Sequence, residues 1–280
     1  MGGSAATRPF LSSNKTNCKD KEDQVTKPYK IVQLDAIEYM RTIPDKSVDL
    51  ILTDPPYESL EKWRNIGTTT RLKKSKGSSN EWFHVFPNDR LEAFLVESKR
   101  IMKKNAHLYI HCDETTRDVL RPLIDKVGLK FWKSLVWHKM AIGMGYHWRA
   151  TYEFILFIEK GKKKLNMLGL PDIFRIKRLK GPQYYPTQKP LELAKMIVEN
   201  STKEGDIVLD PFMGSGTTGV AAVKTGRIFW GCDMDEKAFQ RSQERLRKEI
   251  ERQKAKALET AAVEPEAAVD VEAPTSEVSH

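Results

Sequence analysis

Two short apolar runs, each followed by turn-forming residues, stand out in the hydrophobic pattern of the chain. Val48–Thr53 is apolar or β-branched at every position except Asp49, and residues 207–209 repeat this character far downstream. Short apolar runs bounded by turn formers are typical of buried strands. The pattern therefore predicts two buried strands, which end at Asp54 and Asp210.

Five further runs predict the remaining strands, and residues with helical spacing separate most of them. The predicted strands are 29–34, 106–111, 131–138, 152–158 and 227–233. Apolar positions three and four residues apart predict helices such as 89–104. This alternation predicts an α/β fold with a doubly wound, mostly parallel sheet and one antiparallel strand from the 131–158 passage.

The first buried strand stops at Asp54-Pro55-Pro56-Tyr57. Neither proline can donate to a sheet ladder, and each restricts the residue before it, so the backbone leaves the sheet in a rigid, extended form. The Asp54 carboxylate, the proline carbonyls and the Tyr57 ring are thereby held at the carboxyl end of a strand. Ligands of open α/β sheets bind at such ends.

These groups suit a planar base that carries an exocyclic amino group. The carboxylate and a proline carbonyl each accept one amino hydrogen, while the tyrosine offers a face for stacking. Such an amine is a poor nucleophile, and two acceptors that pull its hydrogens out of the ring plane localise its lone pair. The predicted catalytic residues are Asp54, Pro55, Pro56 and Tyr57.

The second buried strand runs into a turn that contains Gly214 and Gly216, and a helix follows. Glycines let a backbone approach a ligand closely, and the start of a helix presents free N–H groups. The spacing lacks the third glycine of a dinucleotide fingerprint, so it is weak evidence for a nicotinamide or flavin site.

Together, Asp-Pro-Pro-Tyr and Asp-Pro-Phe-x-Gly-Ser-Gly-Thr resemble the catalytic and cofactor motifs of the S-adenosylmethionine-dependent DNA amino-methyltransferases. The catalytic motif comes first, which resembles the permuted β group. Over roughly Tyr29 to Arg247 the resemblance implies a seven-stranded, Rossmann-like methyltransferase fold and S-adenosylmethionine as the cofactor. The cofactor-binding residues that it implies are Asp35, Thr187, Gln188, Lys189, Asp210, Phe212, Gly214, Ser215, Gly216, Thr217 and Asp233.

Three of these assignments have alternatives. The resemblance places Asp35 near the adenine of the cofactor, but its position before a predicted helix fits a cap equally well. Asp233 is favoured for the ribose hydroxyls, although the family more often has Glu there and Asp235 could cap the next helix. The run 187–189 resembles an element around the methionine portion of the cofactor. A capped scaffold helix would explain Pro190 but not the polar triplet before it.

The charge of the chain indicates a polyanionic partner. The net charge is +9, and residues 257–280 hold six acidic residues and no Lys or Arg, so the rest of the chain carries +15. Such a surface attracts DNA, and charge alone also fits RNA or acidic proteins.

Two segments are candidate DNA-contacting insertions. In 58–88, basic residues are interleaved with aromatics, and 160–185 is the second candidate; a solvated loop is the alternative. The resemblance also makes Gly143, Tyr146, His147, Trp148 and Arg149 candidates for the pocket of an extruded base, and ordinary loop packing is the favoured alternative for any one of them.

Composition predicts the domain limits and the compartment. Residues 1–27 read as a disordered N-terminal tail, 28–253 as the methyltransferase domain and 254–280 as a disordered acidic tail. No apolar run approaches a membrane span. Three scattered cysteines match neither a metal site nor a disulfide framework, so a reducing cytoplasm is the expected setting.

The resemblance implies methylation of the N6 amino group of adenine in double-stranded DNA, with the target base flipped out. Adenine is favoured because the Asp form of the catalytic motif is commoner among adenine enzymes of the family. N4 of cytosine is the alternative, and a catalytically inactive DNA-binding protein of the same fold is a second. The resemblance also allows a homodimer and a restriction endonuclease partner.

Overall fold

In the computed structural model, the described parts of the chain are residues 28–58, 85–143, 147–179 and 188–263. The strands are β1 (Tyr29–Gln33), β2 (Val48–Thr53), β3 (Met102–Cys112), β4 (Lys130–His138), β5 (Tyr152–Lys160), β6 (Ile173–Arg175), β7 (Ile207–Asp210) and β8 (Ile228–Asp233). The helices are α1 (Ala36–Thr42), α2 (Leu91–Ile101), α3 (Glu114–Val127), α4 (Leu191–Ser201), α5 (Thr217–Lys224) and α6 (Glu236–Val263).

All the strands join one sheet in the order β1-β8-β7-β2-β3-β5-β4-β6. β5 is antiparallel to β3 and to β4, and the other paired strands are parallel. The doubly wound, mostly parallel sheet with one antiparallel strand is therefore confirmed. β2 and β7 are neighbours, with Leu50 opposite Val208, so the two predicted motifs leave the sheet side by side.

The sheet has eight strands where seven were predicted. The seven predicted strands are present, and the additional one is β6, which pairs with the edge of the sheet along β4. β6 has only three residues and lies in the passage 160–185, which was predicted as a DNA-contacting insertion or a solvated loop. So short a strand at an edge carries no alternating pattern from which it could be recognised.

The last helix continues beyond the predicted domain limit at residue 253 and ends at Val263. Residues 254–263 consist mostly of Ala, Lys, Leu and Glu, which are strong helix formers. The helix therefore extends although these residues present no continuous apolar face. The predicted tail at 1–27 and the remainder of the acidic tail lie outside the described residues.

Helices cover both faces of the sheet. On one face, α1, α2 and α3 bury Met40, Phe94 and Leu120, and on the other α4, α5 and α6 bury Leu193, Ala221 and Leu246. A strand covered on both faces reads as a continuous apolar run, and every residue of β2 is buried. In the part of the chain that the structure describes, no helix is long and apolar enough to cross a membrane.

Candidate active site

A cavity of about 710 Å³ lies over the carboxyl ends of the central strands, and both predicted motifs line it. Asp54 and Tyr57 come from the turn after β2, while Gly214 comes from the turn after β7 and Asp233 from the end of β8. This volume is in the range of small-molecule and cofactor sites. The structure thus brings together two segments that are far apart in the sequence.

The two carboxylate oxygens of Asp54 have different environments. Oδ2 lies 2.6 Å from the Nζ atom of Lys189, whereas Oδ1 is buried and has no hydrogen-bond partner within the described residues. The Pro56 carbonyl accepts from the Phe86 N–H at 2.7 Å, and no described residue donates to the Pro55 carbonyl. Asp54 Oδ1 and the Pro55 carbonyl are therefore the acceptors available to a ligand. A buried acceptor without a donor is costly, and such an atom in a native site indicates a missing polar ligand.

Tyr57 is held by the segment that precedes α2. Tyr57 and Phe86 form an isolated parallel bridge, and the Tyr57 side chain is buried. Burial, together with the nearby Asp54 charge, raises the pKa of the Tyr57 hydroxyl well above its ordinary value. The side chain is therefore a neutral aromatic ring at the cavity wall.

Glu153 and Lys139 also line the cavity, and sequence reasoning assigned them no role. Lys189 lies 3.0 Å from Glu153 Oε2, and Lys139 lies 2.6 Å from Glu153 Oε1. Burial alone would raise the pKa of Glu153, but these two ammonium groups outweigh it and lower the pKa to about 2. Burial alone would lower the pKa of Lys189, but the two carboxylates beside it raise the pKa instead. The signal for both residues was a single charge within or beside an apolar strand, because buried charges are usually paired.

Three more buried side-chain atoms at the cavity make no hydrogen bond with the described residues. They are Oε1 of Gln188, Nδ1 of His111 and Oε2 of Glu153, which Lys189 approaches as an ion pair without hydrogen-bond geometry. Burial lowers the pKa of His111 to about 4, so the imidazole is neutral at physiological pH. His111 therefore presents a hydrogen-bonding nitrogen near Asp54, from the strand next to β2. Lys189 and Gln188 were predicted to bind the cofactor; both line the cavity, Lys189 also contacts Asp54, and their role toward the cofactor stays a prediction.

The glycine turn has the backbone that its sequence predicts. Gly214 and Gly216 have φ angles of 48° and 72°, which L side chains rarely adopt. The Gly214 N–H donates to Asp233 Oδ2 at 2.9 Å, so the carboxylate is fixed beside the turn. Asp235 caps α6 by accepting from the Ala238 N–H, and the assignment of Asp233 to the ribose stays a prediction.

The other predicted residues of this turn support its shape. Asp210 Oδ1 accepts from Thr53 Oγ1 at 2.8 Å, and this hydrogen bond joins the end of β7 to the end of β2. The Phe212 ring packs edge to face on Phe86, with ring centroids 4.9 Å apart. Ser215 and Thr217 are buried, and their hydroxyl oxygens lie 3.1 Å apart. These two hydroxyl groups therefore interact within the turn.

Asp35 has the geometry of the helix cap that was its alternative role. It accepts from the backbone N–H groups of Ile37 and Glu38 at the start of α1. Arg90 also donates to both carboxylate oxygens, at 2.8 and 3.0 Å. Asp35 still lines the cavity, so the role toward adenine stays a prediction.

The loop between β4 and β5 differs from the expectation. Gly143, His147, Trp148 and Arg149 do not line the cavity in the described part of the chain, and Trp148 is fully exposed. The hydrogen bond from the Gly143 N–H to the Ala150 carbonyl shapes this loop as an extension of the strand pair, away from the cavity. Tyr146 and Thr187 lie outside the described residues, as does most of 58–88.

Asp210 makes the stability of the fold depend on pH. Burial raises the pKa of its carboxyl group from 3.8 to about 7, although hydrogen bonds from Thr53 and Phe212 oppose the rise. Between these values the folded chain holds a proton that the unfolded chain releases, so this contribution to stability falls as the pH rises. Asp210→Asn keeps an acceptor oxygen but does not titrate. As the pH rises through this window, we expect its unfolding free energy to increase relative to that of wild type by at most about 1.4 kcal/mol per pH unit. Urea titrations at several pH values measure it, and a difference that is constant with pH contradicts it.

Comparisons with known proteins agree with this geometry. A family model described as DNA methylase, of the N6 and N4 type, matches residues 48–244. The type II methyltransferase M.HhaII of Haemophilus parahaemolyticus is 27% identical over 208 residues, covering 72% of this chain and 89% of that protein. The DNA adenine methyltransferase YhdJ of Escherichia coli K12 is 30% identical over 256 residues, covering 77% and 82%. The crystal structure of an M1.HpyAVI-SAM complex is similar with a TM-score of 0.56 and 25% identity, covering 78% of this chain and 99% of that one. The chain belongs to the N6/N4 DNA methylase family.

Proposed function

We propose that this chain transfers a methyl group from S-adenosylmethionine to the N6 amino group of adenine in double-stranded DNA, with the target base flipped into the cavity. The observation that carries the proposal is the buried Asp54 Oδ1 atom, which has no donor among the described residues and lies in a cavity shared with the glycine turn. An exocyclic amino group supplies two donors, one for this oxygen and one for the Pro55 carbonyl. The relative named a DNA adenine methyltransferase supports adenine as the base.

The glycine-turn side of the cavity fits the cofactor. Gly214 lines the cavity with backbone and no side chain, while Gly216 does not line it but gives the turn its second positive φ angle directly before α5. A helix start favours an anionic group such as the carboxylate of the cofactor, while Asp233 offers acceptors for the ribose hydroxyls. When bound, S-adenosylmethionine supplies a methyl group activated by a sulfonium centre. Phe212 and Asp35 are the residues at this side that would contact the adenine ring.

Residues 54–57, the catalytic turn after β2, act on the amine of the target base. Asp54 Oδ1 and the Pro55 carbonyl accept its two hydrogens, which draws them from the ring plane and localises the lone pair on nitrogen. Formation of the N–C bond would be matched by loss of the methyl group from the sulfonium sulfur, which leaves as a neutral thioether, so positive charge would move onto the nitrogen, where the Asp54 carboxylate stabilises it. One N–H proton then leaves to solvent, so no covalent bond to the protein is needed. The Tyr57 ring stacks on the flipped base.

The basic charge of the chain supports a DNA substrate. Outside residues 257–280 the net charge is +15, and neutralised phosphates make binding weaker as salt rises. Flipping one base costs a few kcal/mol, which the cavity contacts offset. The cytoplasm is the proposed site of action. The homodimer, the restriction endonuclease partner and the DNA contacts of 58–88 and 160–185 stay predictions.

Labelled cofactor tests the proposal. The purified full chain is incubated with methyl-labelled S-adenosylmethionine and unmethylated duplex DNA at several salt concentrations, and the DNA is digested to nucleosides. We expect the label in N6-methyladenine, with less transfer at high salt. Label in N4-methylcytosine would support the alternative base. No transfer to duplex DNA at any salt concentration would contradict the proposal and favour an inactive DNA-binding protein.

A further inference from the structure

Charged side chains of alternating sign form a row of ion pairs that begins at Asp54, in the turn after β2. The members of this charge network are Asp54, Lys189, Glu153 and Lys139. Each comes from a different part of the fold: the ends of β2 and β4, strand β5, and the segment before α4. Lys189 is the central link, since its ammonium group contacts one carboxylate of the catalytic turn and one of the scaffold.

The charge network is largely shielded from water. Its side chains are between 15% and 25% exposed, and the Trp137 ring centroid lies 5.8 Å from the Lys139 ammonium group and 5.9 Å from that of Lys189. Removing charges from water costs several kcal/mol for each ion, and apolar residues of similar size often stabilise a fold as well or better. Stability alone therefore does not account for four buried charges at this place.

We propose that Lys189 and Glu153 are positioning residues for methyl transfer, an inference that rests on the proposed function. Lys189 holds Oδ2 of Asp54, which fixes the rotation of the carboxylate and leaves Oδ1 for the target amine. Glu153 in turn holds Lys189 in place. A misplacement of about 1 Å at a reacting group can cost about 100-fold in rate.

Glu153 has a second effect through its charge. With two carboxylates and two ammonium groups, the charge network sums to zero, so Lys189 does not leave a net positive charge beside the amine. In a Glu153→Gln variant the network is positive, which repels the charge that develops on the nitrogen. Lys189→Gln removes a positive charge, which by itself would favour transfer. If Lys189→Gln is slower than wild type, the cause is therefore the lost orientation of the Asp54 carboxylate and not the change in charge beside the amine.

The test uses the full chain with Lys189→Gln, Glu153→Gln and a matched control, Lys126→Gln, which removes an exposed ion pair with Glu92. Binding of S-adenosylmethionine, melting temperature and the single-turnover rate at saturating cofactor and DNA are measured. We expect the first two variants to transfer about 10- to 100-fold more slowly. Cofactor affinity should stay within about threefold of wild type. The control should match wild type in all three measurements.

Combining Lys189→Gln with Asp54→Asn decides whether Lys189 acts through Asp54. We expect no further loss of rate in the double variant, because residues that act as a unit are not additive. If either single variant melts early, Lys189→Met with Glu153→Gln removes both charges of the pair and should be as slow. Fully additive losses would overturn the proposal, as would cofactor affinity weakened more than about tenfold with a normal rate at saturation. If the wild type and the variants transfer the methyl group equally fast, only the positioning role is overturned. If the wild type itself is inactive, the proposed function is overturned, and this inference with it.

Discussion

Replacing Asp54 with Ala is expected to lower the methyl-transfer rate by about 10³-fold, while cofactor binding stays within about threefold of wild type. The change removes the acceptor at Oδ1 and the negative charge beside the amine, but it leaves the glycine turn intact. Lys189 keeps Glu153 as an ion-pair partner, so the variant is expected to fold. Single-turnover kinetics at saturating cofactor, with calorimetric titration of S-adenosylmethionine, measure both quantities.

Asp118→Ala is the matched control for this experiment. Asp118 pairs with Arg117 on the outside of α3, and its side chain is 69% exposed. Exposed ion pairs contribute little to stability, so transfer and cofactor binding should both equal those of wild type. Transfer by Asp54→Ala at the wild-type rate would remove Asp54 from the chemistry.

The second large effect is expected at Gly216, where we predict that Gly216→Ala weakens cofactor binding by more than about tenfold. A Cβ atom there would lie 2.9 Å from the Ser242 hydroxyl oxygen, while the φ angle of 72° is itself costly for alanine. We expect a loss of about 2 kcal/mol in unfolding free energy from strain and contact together. Ser242 donates to the Gly214 carbonyl at 2.7 Å, so relief of the clash displaces the turn itself.

Gly205→Ala separates the two causes. Gly205 has a φ angle of 80°, but an added Cβ there would meet no atom within 4 Å. This control should lose about 1 kcal/mol of unfolding free energy and keep its cofactor affinity, because Gly205 is remote from the cavity. Equal cofactor affinity in Gly216→Ala and wild type would show that the turn tolerates displacement and would contradict its assigned role.

Much of the fold could be predicted because the sheet is covered on both faces. Such strands read as mostly apolar runs, as Val48–Thr53 does apart from Asp49, and their ends bring Asp54 and Gly214 into one cavity. The three-residue β6 and the extension of α6 to Val263 escaped prediction for a different reason. Neither buries a regular apolar face, so pattern carries no information about them.

The charge network could not be predicted from spacing. Lys189 and Glu153 are separated by more than thirty residues, and their contact depends on the antiparallel placement of β5 between β3 and β4. The family resemblance assigned Lys189 to the cofactor site. Glu153 lies within a strand that is otherwise almost entirely apolar. The rule that buried charges have partners would have marked Glu153 as significant, but not which lysine it meets.

Sequencing that detects modified bases tests the central claim most directly, namely that Asp54 and the glycine turn act on one flipped adenine. DNA from cells that express the wild-type chain is compared with DNA from cells that express Asp54→Ala. We expect N6-methyladenine within one short sequence context in the wild-type sample and its absence from the variant sample. The same modified adenines in both samples, or no modified base in the wild-type sample, would contradict the account.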